Sequence, residues 1–372
     1  MYCVRHCIEL FLKETYNNVF YLKSIKEKRS KYKEIKECNK RIIEYDMKIL
    51  DPLFAKNEEE KITIQHDNKE LNNNIQEEQN KISYLWESIM NGLDNRPTHD
   101  LNVLCKKVVQ IYSVDERIPK KFDFIVNLLK YYKDIDPNGD MFKYLTDNKG
   151  QPHFESQKIH TVDLLRVKEQ FSYLTKLFEF FNFNLCSIIK EYDTLTYTKH
   201  LSRKQIEEIS YMLPTPDEFA DKIVNVKRNV MDKYGVSSNE FNLVIDLIKS
   251  NAEFSMNMGK ELELKKISDD TLRILAECAQ GKCDFSENFF KISTDEYAAL
   301  LTYSDICGWR YFTKNMTYYP EDFEYIYEGF RKKNLDCYML VPKTEINFII
   351  AGMKKCGQKT YATKLEQYMS KQ

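Results

Sequence analysis

The stretch Val4-Arg5-His6-Cys7-Ile8-Glu9-Leu10-Phe11-Leu12-Lys13-Glu14 opens the chain with a helical pattern. On a helical wheel Val4, Ile8, Phe11, Leu12 and Val19 fall on one stripe about 100° wide, the mark of a helix that buries one side. Arg5, His6, Glu9, Lys13 and Tyr16 gather on a second stripe of similar width. A helix buried for packing alone has no need of a guanidinium, an imidazole, a carboxylate and an ammonium together. Two readings fit. The stripe is a solvated face, strengthened by the i,i+4 steps Arg5–Glu9 and Glu9–Lys13. Or it is one wall of a site, to which His6 brings a group that titrates near neutrality.

The rest of the chain points to helices as well. It has 372 residues, enough for two or three domains with sizeable cores. Glycine (10) and proline (9) are scarce, which disfavours a turn-rich β protein and favours an all-α fold. Tyrosine (25) and phenylalanine (22) are abundant, so the cores are expected to be aromatic. The net charge of −1 gives no global basic field of the kind that marks a nucleic-acid binder, and any RNA contact must use a local patch. The ten cysteines are scattered. Cys278 and Cys283 have four residues between them, which suits no zinc knuckle, and no second pair follows at ribbon or finger distance. Reduced, buried cysteines in a cytoplasmic protein are the expectation. Glu9 and Lys13 interrupt what would be the apolar region of a signal peptide. No apolar run approaches the roughly 18 residues that span a membrane.

Along the chain, residues 1–25 form the opening helix. Residues 26–90 turn rich in Lys, Glu, Asn and Gln, with Ile75, Ile82 and Ile89 seven apart and Leu71, Glu78 and Leu85 on a neighbouring heptad position. Asp51-Pro52 breaks this segment into two, which predicts an antiparallel charged helical hairpin. Thr98 is the expected N-cap of a helix through Leu101, Leu104, Cys105 and Val108. A helix over 121–133 ends in the turn Asp136-Pro137-Asn138-Gly139. Another runs from about His160 to Tyr192. Thr194–His200 reads as a link between a first domain, 1–195, and a second, 196–372. The second is a helical domain opened by Ser202 and extending over about 216–233, 238–258, 268–279, 294–304, 321–332, 343–356 and 358–370. Phe289–Ile292 and Cys337–Val341 are candidate short strands.

Three segments of the first half, in order, carry a resemblance. Arg5-His6-x-x-Glu9-Leu10-x-Leu12-Lys13 resembles the opening helix motif of a branch of the HEPN superfamily. Thr98-His99-Asp100-Leu101-Asn102-Val103-Leu104 is similar to the start of a later helix in such families. Asp136-Pro137-Asn138-Gly139-Asp140-Met141-Phe142-Lys143-Tyr144 is similar to their Asp-Pro turn. Together they cover roughly residues 4–165. The resemblance implies a HEPN-like helical bundle with residues 26–90 as an inserted hairpin. It also implies a setting in prokaryotic antiviral defence, abortive infection or a toxin-type system, in the cytoplasm. Activity on RNA, as a metal-independent RNase without cofactors, and a homodimer go with it. Its implied site has His6 or His99 as base with Arg5, and Lys13, Lys143 and Glu9 on the substrate side.

The sequence also departs from that family. Catalytic members carry Arg, four to six residues, then His, which places a general base beside a group that stabilises the phosphate. No arginine here has a histidine at that spacing. The turn has Lys143 where the family has Arg, and Leu145 where it has Pro. Lysine holds phosphate as a point charge, not bidentately. These departures point to the rival reading, a degenerate, non-catalytic helical protein that binds a protein or nucleic-acid partner through the 26–90 hairpin or the C-terminal domain. Asp134-Ile135-Asp136-Pro137-Asn138-Gly139 matches half of a calcium loop, but the closing glutamate is replaced by Leu145. Phosphate-loop, dinucleotide, Gly-x-Ser-x-Gly and His-Glu-x-x-His patterns are absent. The aromatic stretches around Trp309 and Tyr318–Tyr327, with Arg310, Lys314 and Arg331, are read first as core and second as a base-stacking surface.

Overall fold

The computed structural model describes residues 2–50, 52–94, 98–136, 139–141, 144, 146, 163–308, 318–332, 340 and 342–370. Among these the regular elements are all helical. The chain divides into two compact units, Met1–Ile189 and Lys190–Gln372, and the division falls in the last turn of a long helix.

The first unit is built from α1 (Tyr2–Glu27), α2 (Arg29–Lys48), α3 (Glu58–Met90), α4 (Leu101–Val109), α5 (Arg117–Leu128), α6 (Lys130–Ile135) and most of α7 (Leu164–Asp193). The apolar stripe of α1 is buried as its spacing requires: Val4, Ile8, Phe11, Leu12 and Val19 all lie in the core. Phe11 stacks on Phe178 of α7 with ring centroids 3.9 Å apart, and meets Phe181 edge-on at 5.8 Å. Leu101, Leu104, Cys105 and Val108 give α4 its buried face, which packs on α1.

Residues 26–90 form the hairpin that their pattern predicts. A short 3-10 turn at Pro52–Phe54 separates α2 from α3. Arg41 meets Glu78 bidentately at 2.6 and 2.9 Å, and Lys81 meets Glu34 at 2.7 Å, a pairing that makes the two helices antiparallel. The heptad seam is deepest at the base, where Leu85 and Ile89 are buried, and shallower beyond it. Lys28 Nζ donates to the carbonyls of Ser88 and Ile89 at 2.8 and 2.9 Å, which satisfies the end of α3. Trp86 sits against Tyr21 and Tyr32.

Several boundaries differ from the expectations. Asp100, not Thr98, caps α4: its carboxylate accepts from Asn102 N at 2.7 Å and Val103 N at 3.3 Å. The helix expected over 121–133 starts earlier, at Arg117, because Asp115 accepts from Arg117 N at 2.9 Å and Pro119 is tolerated in a first turn. It then splits at Leu129 into α5 and α6. Phe289–Lys291 is a 3-10 turn rather than a strand, following a helical turn nucleated by the Asp284 side chain on Ser286 N. The candidate strand Cys337–Val341 falls largely outside the described residues.

The second unit holds α8 (Arg203–Met212), α9 (Phe219–Tyr234), α10 (Ser238–Ser250), α11 (Ala252–Asn257), α12 (Asp269–Ala279), α13 (Phe285–Asn288), α14 (Thr294–Ile306), α15 (Phe323–Lys332), α16 (Pro342–Lys355) and α17 (Lys359–Ser370). Ser202 opens α8 with a capping box closed by Gln205, as its sequence indicates. One core lies among α8–α11 and a second among α12–α17. α14 is buried from Tyr297 to Ile306 on every side and packs on α15 and α16. Thr194–His200 is packed as far as Thr198, and Lys199 and His200 are exposed. Thr196, Tyr197 and Thr198 are buried, Thr196 Oγ1 donates to Glu321 at 2.6 Å, and Thr198 Oγ1 donates to Glu240.

Candidate functional site

The polar stripe of α1 divides once folded. Arg5 and Glu9 are each only 3% exposed, while Lys13 is 36% exposed and His6 lies on the solvent side. Burial of two opposite charges is tolerated only when they are paired and hydrogen-bonded. Here Arg5 Nη1 donates to Glu9 Oε2, the i,i+4 partner on the next turn. Arg5 Nη2 donates to the carbonyl of His99, just before α4, and Arg5 Nε donates to the carbonyl of Asp136 at 3.3 Å. One guanidinium therefore joins α1 to both later segments.

Each segment is shaped to meet it. Asp100 caps α4 and fixes the chain direction at His99. Asp136, itself buried, folds its turn by accepting from Gly139 N at 2.9 Å and Met141 N at 3.2 Å. Gly139 stands at φ +82°, and a Cβ there would lie 2.9 Å from Arg5 Cζ. Glycine is thus required twice, for its backbone angle and for the guanidinium lying against it.

Glu9 Oε1 gathers the remaining donors. Lys13 Nζ lies 2.6 Å from it and His99 Nδ1 2.9 Å. Burial pushes the Glu9 carboxyl up, but the hydrogen bonds and charges of Lys13 and His99 outweigh it and hold the group below the usual glutamate value. The His99 side chain is 68% exposed. Among the described residues Glu9 is the partner of its ring, which leaves the second nitrogen open to a ligand. A carboxylate that fixes one imidazole nitrogen while the other faces solvent is an arrangement suited to proton transfer.

Of the sequence-derived site residues, Arg5, Glu9, Lys13 and His99 come together. Arg5 and Glu9 are withdrawn from solvent, so the roles open to them are positioning ones. His6 is on the exposed face of α1, and Lys143 lies outside the described residues. Sequence reasoning missed Asp136 and Gly139 as supports for Arg5; the glycine three residues after the aspartate was the available signal. In the second unit, Trp309–Phe312 are outside the described residues, while Phe323 and Tyr327 are core and Tyr325 is exposed. Arg203, also buried, lies between the rings of Phe254 and Tyr319 at 4.6 and 4.3 Å and pairs with Glu253 and Glu321. No three His, Cys, Asp or Glu side chains among the described residues are grouped so as to hold a metal ion, and no described helix is long and apolar enough to cross a membrane. Set against protein-family models, curated proteins and solved structures, the chain matches none.

Proposed function

We propose that the chain is a HEPN-like protein of a prokaryotic defence or toxin-type system whose first unit cleaves RNA without a metal, using His99. The observation that carries this reading is the 2.9 Å contact between Glu9 Oε1 and His99 Nδ1 on a solvent-facing ring. In this role Nδ1–H donates to Glu9, and Nε2 accepts the proton of an RNA 2′-hydroxyl as it attacks the adjacent phosphate. Glu9 steadies the imidazolium that results. Lys13, half exposed and anchored to the same carboxylate, presents a positive charge to the phosphate. Arg5 holds the His99 backbone and acts through position.

The second reading is a non-catalytic interaction protein, and the burial of Arg5 favours it. There the same contacts only fasten α1 to α4 and to the Asp136 turn. Incubation of the purified protein with total RNA in EDTA separates the two. Wild type is expected to cleave, His6→Ala to cleave alike, and His99→Ala to be slower by about 10²-fold or more. Equal cleavage by wild type and His99→Ala, or none by either, overturns the proposal.

A further inference from the structure

Cys278 and Cys283 belong to the second unit and have no part in the site on α1. Their local geometry is specific. α12 ends in a Schellman turn, in which Lys282 N donates to Glu277 O at 2.9 Å and Gly281 N donates to Cys278 O at 3.0 Å. Gly281 takes the left-handed conformation at φ +74° that this turn requires. The turn reverses the chain after α12, and Cys278 and Cys283 pack on the same apolar cluster. The two residues stand five apart across this one turn, and both thiols are free. Cys278 is buried and Cys283 half-buried, so a small oxidant reaches Cys283 first. The turn between them is also anchored: Gln280 Nε2 donates to the carbonyls of Tyr368 and Met369 at 3.3 and 2.7 Å. Whatever closes this turn therefore acts on the end of α17.

We propose that Cys278 and Cys283 form an oxidisable dithiol, converted by peroxides to an intrachain disulfide that locks the turn between α12 and α13. The Cys283 thiolate attacks the peroxide; with hydrogen peroxide the O–O bond breaks, Cys283 becomes a sulfenic acid and one hydroxide leaves to take a proton. The Cys278 sulfur then attacks the sulfenic sulfur. The S–S bond forms, the S–O bond breaks, and the departing hydroxide takes the Cys278 proton. In sum two thiols and one peroxide give one disulfide and two waters. Burial, and then the contact with Cys283, push the Cys278 thiol up to about 12, which suits it to the second step rather than the first.

Trypsin supplies the test, because it cuts after Lys282, between the two cysteines. The full-length protein is treated with increasing hydrogen peroxide, quenched with maleimide under denaturing conditions, digested and analysed by mass spectrometry. The reduced protein yields two labelled peptides, 274–282 and 283–291. The oxidised protein is expected to yield them as one unlabelled, linked pair that dithiothreitol separates. Cys283→Ser is expected to abolish the pair and leave Cys278 labelled. Cys278→Ser is expected to leave a Cys283 sulfenic acid that dimedone traps. The wild-type result stands whether or not either variant folds. Labelling of both cysteines at a peroxide dose that has already oxidised the exposed Cys3 and Cys7 would overturn the proposal. So would over-oxidation of Cys283 with no linked pair.

Discussion

Three side chains donate to the Glu9 carboxylate: Arg5 to one oxygen, Lys13 and His99 to the other. Glu9→Gln keeps the volume but removes the charge and one acceptor, leaving the Arg5 guanidinium buried opposite a neutral amide. Breaking a buried ion pair from one side costs about 3–5 kcal/mol, so equilibrium urea unfolding of Glu9→Gln should show a loss of that order. A loss below about 1 kcal/mol would mean that Arg5 is compensated by its other contacts, the carbonyls of His99 and Asp136 among them. The sequence places these residues on one stripe correctly but does not decide which of them face inward. Leu12, on the apolar stripe, lies about 20° from Arg5, so the two stripes adjoin at Arg5 rather than opposing each other. Leu12 is buried, and so is Tyr16 on the polar stripe beside it. The destination of the guanidinium was not legible, because it bonds to main-chain carbonyls 94 and 131 residues away, and carbonyls carry no sequence signature.

Among the elements, the helices of the second unit follow their sequence closely, because Ser, Asp and Asn caps and apolar periodicity mark their ends. Expectations failed where a short-range side-chain bond competed with propensity, as at Asp100, Asp115 and Asp284. What the pattern cannot convey is how closely two helices approach. α16 crosses α14 at Gly352, where a Cβ would lie 1.9 Å from the Tyr303 carbonyl oxygen and 2.6 Å from its carbon. Both are backbone atoms of a helix buried all round, so neither can move aside as a side chain would. Gly352→Ala improves the intrinsic helix propensity of α16 by about 1 kcal/mol. It must still separate the two helices, and we expect a net destabilisation of about 3 kcal/mol, the upper part of the range for overpacking. Chemical denaturation followed by circular dichroism measures it. A stabilised variant would show that propensity outweighs this contact.

For the molecule as a whole, near-zero net charge conceals carboxylates whose protonation is costly to the fold. Hydrogen bonds from Arg41 hold Glu78 at about 2. Burial pushes Glu296 up, but hydrogen bonds from Ser268 and Ser293 overcome it and bring that group to about 2 as well. Glu9 is lowered by Lys13 and His99 against its burial. A group whose folded pKa lies below its unfolded value contributes stability above the unfolded value and loses it as pH falls through the folded one. Glu253 opposes them, since burial raises it despite Arg203, and its protonation favours the folded state. Asp284, lowered by its bonds with Ser286, joins the first three, and four against one gives the direction. The urea midpoint should hold steady from pH 7 to about 5, then fall steadily toward pH 2. Salt divides the contributions. Arg41 is 35% exposed, so the Glu78 share should shrink in 1 M sodium chloride, whereas the Glu9 share, inside the protein, should persist. Glu78→Gln should accordingly lower the midpoint at pH 7 modestly, by less than about 1 kcal/mol of stability, and flatten the acid limb mainly at low salt. A midpoint that stays flat down to pH 2 would mean these carboxylates keep the same partners in the unfolded chain, and the ionic account of this fold would fail with it.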